Sequence, residues 1–165
     1  MEIIYRRLSV DWSASDFDDS CWYPRIDSSG TVFATSGSIT DPTIRVYNSA
    51  GVYQRGGGSG ALSYAACPNS DSSYIYEAGS RTSNKSMWKH QNNANPMPAT
   101  SLYDTGNDTL DIWVDSGNKK YLTGYRASGK TIWIFDSSDN FVSTLDTGKT
   151  NGVDYGFGIQ TDVSG

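Results

Sequence analysis

Few side chains of this sequence could carry acid–base or nucleophilic chemistry. His90 is the only histidine, and Glu2 and Glu77 are the only glutamates. A nucleophilic Ser-His-Asp system needs an imidazole at its centre, but His90 ends a strand pattern at a packing position. Glycoside hydrolysis needs two facing carboxylic acids, and Glu77 has no identifiable partner. The sequence therefore predicts no catalytic residue, and we expect a protein that is not an enzyme.

An acidic segment is the best candidate for a metal site. Asp104, Asn107 and Asp108 could offer oxygen ligands to calcium. The segment lacks the glycine and the final glutamate of the calcium-binding EF-hand loop. Asp and Asn side chains in turns ordinarily accept hydrogen bonds from their own backbone. Turn formation is therefore the favoured interpretation, and we expect no cofactor.

Aromatic and basic side chains are the candidates for ligand binding. Aromatic residues make up 13% of the chain, and most of these rings are expected to pack between sheets. Rings near strand ends, beside Asn and Asp, could instead stack on sugars and hydrogen-bond to them. The candidate ligand residues are Trp22, Tyr23, Arg25, Arg81 and Arg126.

Composition and charge exclude several classes of partner. The net charge is −5 and the basic residues are scattered, whereas binding to nucleic acid needs a concentrated basic surface. The sequence contains no run of about 18 apolar residues, the length that a membrane-spanning helix needs. The N-terminus lacks the pattern of a secretion signal, so we expect synthesis in the cytoplasm. The site of action stays open, and the Ser-, Gly- and Tyr-rich composition favours a virion or an extracellular surface.

These residues must be positioned by short strands, which the chain repeats. Residues 111–148 contain four apolar or β-branched runs separated by Gly, Asp, Asn and Ser, a pattern typical of a four-stranded meander. Residues 21–58 align with them, and a middle copy contains Tyr74–Tyr76 and Ser86–His90 as its second and third strands. A period of about 44 residues with four strands is typical of β-propeller blades.

The repeated units resemble those of NHL-type, WD-type and YVTN-type propellers. The resemblance lies in an Asp-Ser turn, an apolar strand followed by Thr-Gly or Ser-Gly, and an Ile-x-Val/Ile-aromatic strand followed by an Asn-Ser or Asp-Ser turn. It implies an all-β propeller of four-stranded antiparallel blades over residues 1–165. The expected blades are residues 21–62, 63–108 and 109–152, with a split blade from residues 1–20 and 153–165.

The sequence determines neither how the propeller ring closes nor whether the two cysteines form a disulfide bond. The ring could close within one chain, between two chains, or in a longer protein, and the last two options are favoured. Cys21 and Cys67 match no metal motif, and they are either two buried thiols or a bridge between neighbouring repeats.

The favoured function is a non-catalytic structural or interaction module. Its blades are expected to contact other protein chains, as a homo-oligomer or in a larger assembly such as a virion or a surface layer. One alternative is a carbohydrate-binding lectin with glycans as partners. A second alternative is a fragment of a propeller enzyme, which rests on fold analogy alone.

Overall fold

The computed structural model describes residues 21–36, 42–127, 130–145 and 159, without the side chains of residues 21, 22, 126, 127, 130 and 131. These residues form twelve strands and no helix. The predicted split blade, residues 1–20 with 153–165, lies outside the described residues except for Ile159. In the described part of the chain, no helix is long and apolar enough to cross a membrane.

The strands form three antiparallel sheets of four strands each, which confirms the predicted all-β class and the three four-stranded units. The first sheet contains β1 (Cys21–Ile26), β2 (Val32–Ser36), β3 (Ile44–Tyr47) and β4 (Tyr53–Gly57). The second contains β5 (Ser63–Pro68), β6 (Tyr74–Thr82), β7 (Lys85–Gln91) and β8 (Ala99–Tyr103). The third contains β9 (Thr109–Val114), β10 (Lys120–Ala127), β11 (Lys130–Phe135) and β12 (Phe141–Leu145).

Asp and Asn side chains build the turns between strands, as the sequence predicts. The Asp27 carboxylate accepts hydrogen bonds from the amides of Ser29 and Thr31, and the Asp136 carboxylate accepts them from Ser138 and Asn140. Each side chain thus replaces a backbone acceptor within a tight turn. The same residue types therefore recur at the same turns because the local geometry requires them.

The sheets pack face to face, and each junction buries an apolar core. One core cluster joins the first and second sheets, and the other joins the second and third. The first contains Phe33, Ile44, Val46, Ala66, Ile75 and Met97. The second contains Ala65, Cys67, Tyr76, Ala78, Met87, Ile112, Val114, Leu122, Trp133 and Phe135.

Residues 56–60 are rich in glycine, a composition that predicts a flexible crossing between units, but part of this run is a strand. Gly56 and Gly57 belong to β4, and Gly57 forms a parallel bridge with Met97 in the connection between β7 and β8. A Cβ atom at Gly57 would lie 2.8 Å from the Met97 Cβ. Glycine is required here because the backbones of two sheets meet closely.

Candidate functional site

The register of the strands gives the three sheets a common frame. Lys120 pairs with Phe135 in the third sheet, as Ile75 pairs with His90 in the second. Positions that share a register can therefore be compared directly between sheets, and unusual residues stand out. Two equivalent sets are Lys120 with Ile75 and Val32, and His90 with Phe135 and Tyr47. A third set is Glu77 with Leu122 and Ala34.

A buried glutamate–histidine pair occupies the second sheet. Glu77 on β6 and His90 on β7 have no exposed side-chain area, and Glu77 Oε2 lies 2.6 Å from His90 Nε2. Ser59, in the connection between the first two sheets, donates a hydrogen bond of 2.9 Å to Glu77 Oε1. Antiparallel pairing thus brings an imidazole beside Glu77, and not the second carboxylic acid that glycoside hydrolysis would need.

The order of these groups does not match a nucleophile system. The carboxylate lies between the hydroxyl and the imidazole, whereas a serine nucleophile needs the imidazole next to the hydroxyl. The second ring nitrogen of His90, Nδ1, is buried and has no hydrogen-bond partner among the described residues. The third sheet has Leu122 and Phe135 at these two positions, so the pair replaces an apolar contact inside a packed face.

A second polar cluster joins the second and third sheets around Asp139. Lys89 of β7 donates to Asp139 Oδ2 at 2.7 Å, and the Tyr76 hydroxyl donates to Oδ1 at 2.8 Å. Lys120 of β10 forms an ion pair with Asp139 Oδ1 and has no exposed side-chain area. The Lys120 ammonium also donates to the carbonyl oxygens of Asp136 and Ser137, at 2.9 and 3.1 Å.

The electrostatics of this cluster follow from burial and from its donors. Burial raises the pKa of Asp139, but hydrogen bonds from Lys120, Lys89 and Tyr76 outweigh it and hold the pKa below its ordinary value. Burial and the contact with Asp139 raise the pKa of Tyr76. The cluster thus contains a phenol that keeps its proton and a carboxylate that accepts from three side chains.

A third cluster connects two sheets that are not neighbours in the sequence. Arg25 of β1 donates to both oxygens of Asp111 of β9, at 2.7 and 3.0 Å. Asp111 is fully buried and also accepts from the amides of Ile112 and Ile159, at 2.8 and 2.9 Å. The guanidinium lies 5.7 Å from the centre of the Trp113 ring. Arg25, a predicted ligand residue, therefore joins the first and third sheets.

Cys67 lies at the register position that Arg25 occupies in β1 and Trp113 in β9. It is a free, buried thiol. For this residue the structure therefore agrees with the expected buried thiol and not with a disulfide bond between neighbouring repeats. Burial raises the pKa of Cys67 to about 11. The side chain of Cys21 lies outside the described residues.

The predicted calcium segment and Arg81 are brought together on the surface. The Arg81 guanidinium donates to both oxygens of Asp104 at 2.7 Å, and its backbone amide donates to Asp108 Oδ1 at 2.6 Å. The Arg81 contact lowers the pKa of Asp104 to about 2. The Asn107 carbonyl oxygen accepts from Thr105. No group of three or more His, Cys, Asp or Glu side chains is placed to hold a metal within the described ranges.

The remaining predicted ligand residues are not brought together. Tyr23 is half-buried against the core cluster between the second and third sheets. The side chains of Trp22 and Arg126 lie outside the described residues. Trp88 and Trp133 share one register position and are both buried, as expected of aromatic rings that pack between sheets.

Two polar residues of these clusters escaped the sequence analysis. Lys120 was taken only as a strand residue, and Asp139 only as a turn residue. The repeat alignment contains a signal for Lys120, because the equivalent residues are the apolar Ile75 and Val32. A lysine at an apolar register position indicates a buried, partnered ammonium.

Hydrazine synthase of Kuenenia stuttgartiensis is one solved structure that the chain resembles. The sequences are 11% identical, the TM-score is 0.66, and the match covers 86% of this chain and 39% of that chain. At this identity the likeness shows a shared fold alone. No protein-family model matches the chain, and the comparison with curated proteins gave no match.

Proposed function

We propose that the protein is a non-catalytic assembly module with a propeller arrangement of its sheets. The observation that carries the proposal is the use of its buried titratable groups. Glu77, His90 and Asp111 are buried and bonded to one another or to neighbouring strands. An acid or base catalyst must reach the proton that it moves, and these side chains are buried and hydrogen-bonded to other residues of the chain. We infer that they take part in packing and not in catalysis.

The contact between Arg25 and Asp111 supports the propeller arrangement. Packed sheets lie about 10 Å apart, so in a straight stack the first and third sheets would be separated by about 20 Å. An arginine side chain is too short to cross that gap. The guanidinium reaches Asp111 at 2.7 Å, and this contact favours sheets that curve around a common axis, as propeller blades do.

The outer strand β12 is the surface that fits a partner chain. It is the last strand of its sheet, and no described strand pairs with its outer side. Phe141, Val142 and Leu145 are 43%, 58% and 51% exposed. The strand contains no charge, proline or glycine, the devices that usually protect a sheet edge. β4, by contrast, contains Arg55 and two glycines.

The partner we assign to this edge is a second copy of the chain. An uncharged strand can pair with its own copy in antiparallel fashion without like-charge repulsion. Main-chain hydrogen bonds would then extend the sheet from one copy into the next. A five-residue edge is short, so we expect association that depends on protein concentration.

Light scattering during size-exclusion chromatography, over a range of concentrations, tests this assignment. We expect the wild-type chain to gain mass as its concentration rises and Val142→Lys to remain a monomer. Gln54→Lys is the matched control, because Gln54 lies at the same bulge of β4. A wild-type chain that stays monomeric at every concentration would remove the self-association. Binding to a glycan array that Tyr23→Ala abolishes would favour the lectin alternative instead.

A further inference from the structure

We propose that Lys120 and Asp139 are joined by an intramolecular isopeptide bond between the lysine Nζ and the aspartate Cγ. The bond would attach β10 to the turn between β11 and β12. It goes beyond the assembly role and does not depend on it.

The first argument is the position of Lys120. Its register position holds Ile75 in the second sheet and Val32 in the first, and both belong to apolar strand patterns. Lys120 has no exposed side-chain area. A lysine is rarely buried completely, and its flexible stem with a nucleophilic amine is the group that forms covalent bonds to carbonyl carbon in proteins. The amine and the Asp139 carboxyl are already in contact.

The second argument is the way in which the carboxyl is held. Asp139 ends the turn after β11 with a φ of 69°, a left-handed conformation that Asp adopts more readily than most other non-glycine residues. The Tyr76 hydroxyl donates to Oδ1 at 2.8 Å and the Lys89 ammonium donates to Oδ2 at 2.7 Å. Donors on both oxygens stabilise the negative charge that develops there when an amine attacks the carbon.

The reaction balances without any further reagent. One proton moves from the Lys120 ammonium to the Asp139 carboxylate along the contact that joins them, which leaves a neutral amine beside a carboxylic acid. The Nζ lone pair attacks Cγ, and the tetrahedral intermediate places its charge on the oxygens held by Tyr76 and Lys89. One proton then moves from Nζ to the hydroxyl of the intermediate, the C–O bond to this oxygen breaks, and the oxygen leaves as water. The product is a secondary amide.

Exclusion of water favours Lys120 over Lys89 as the nucleophile. Lys89 also contacts Asp139, but 24% of its side chain is exposed, and its ammonium lies 4.0 Å from the centre of the Tyr74 ring. Lys120 lies behind the Tyr76 ring, 4.8 Å from its centre. The Asp139 side chain is 15% exposed, so it is the burial of the Lys120 amine that limits the access of water to this pair. Holding two reacting groups together raises their effective concentration by several orders of magnitude.

Intact-mass spectrometry of the denatured full chain tests the proposal. We expect the wild-type chain to be lighter than its sequence by one water molecule. Lys120→Arg and Asp139→Ala should each have the full mass of their sequences. Lys119→Arg is the matched control and should still lack one water, because the side chain of this neighbouring lysine is exposed.

Peptide mapping of the wild-type chain needs no variant and stays decisive if a substitution prevents folding. The bond should give a branched peptide that contains both Lys120 and Asp139, with no tryptic cleavage after Lys120. A folded wild-type chain with its full sequence mass would refute the proposal, and the contact would then be an ion pair only. A lost water that maps to another pair of residues would refute it as well.

Discussion

Replacing the buried pair Glu77–His90 with the equivalent residues of the third sheet should separate the cost of desolvating the pair from the stability that its hydrogen bond contributes. Leu122 and Phe135 hold the equivalent positions there and are 0% and 1% exposed. We therefore expect the double variant Glu77→Leu/His90→Phe to be as stable as the wild type, or more stable by about 1–4 kcal/mol. The carboxylate and the imidazole must be desolvated on folding, and an apolar pair of similar volume avoids this cost.

The single variants should behave in the opposite way. Glu77→Leu leaves the imidazole of His90 buried without its only partner, since Nδ1 already has none. His90→Phe leaves the Glu77 carboxylate with Ser59 alone. Breaking one side of a buried pair costs about 3–5 kcal/mol, so each single variant should lose much of the stability of a small domain. Ser59→Ala is a milder reference, at about 0.5–1.5 kcal/mol.

Urea denaturation followed by tryptophan fluorescence measures these differences as shifts of the midpoint at constant slope. The coupling energy of the double-mutant cycle should be several kcal/mol, because each single variant is worse than the double. The reasoning fails if Glu77→Leu costs less than about 1 kcal/mol. It also fails if the double variant loses as much stability as the two single variants added together.

Three further predictions concern individual buried or turn residues. Gly57→Ala should destabilise the fold by about 1–3 kcal/mol in urea denaturation, because the new Cβ would lie 2.8 Å from the Met97 Cβ. At the control position, Gly117→Ala meets no atom closer than 3.3 Å, and equal losses of stability in the two variants would contradict this account. In a variant without the other cysteine, Cys67 should resist a thiol reagent in the native state and react in urea, because it is buried with a pKa of about 11; equal reaction rates in both states would refute this. The pKa of Asp27 is lowered from 3.8, since hydrogen bonds led by Ser29 outweigh burial, so its stabilising effect is present above that value and is lost as the pH falls below it. Asp27→Asn should therefore show a shallower decline of melting temperature in acid than the wild type, and identical curves would refute the assignment.

The sequence predicted the parts of the fold that depend on local patterns. Apolar runs such as Thr131–Phe135 coincide with β11, and the turn at Asp136 forms because its side chain accepts from nearby amides. The repeat pattern predicts the fourth strand of the middle unit from Pro96 to Ser101, but β8 begins only at Ala99. Proline has no amide proton for a ladder, so the strand forms only after both prolines.

The polar clusters could not be predicted, because they depend on contacts between distant segments. Arg25 was taken as a ligand residue, but its partner Asp111 lies on a different sheet. Arg81 and Asp104 were assigned to separate roles, and each now satisfies the charge of the other. In both cases the sequence singled out a charged residue but did not identify its partner. What was missing is the packing of one sheet against another, which sets the burial of a charge and selects its partner.

The ion pair between Arg25 and Asp111 also affects how the chain folds and unfolds. Each sheet is a meander of neighbouring strands, so its hydrogen bonds close short loops and can form early. The Arg25–Asp111 contact joins residues 86 positions apart. The chain loses conformational entropy when this loop closes, before the contact itself can stabilise the fold. In an open array of repeats, the units could melt one by one. Here the first and third sheets hold each other, so fraying at one end should be coupled to the other, and unfolding should be a single cooperative event.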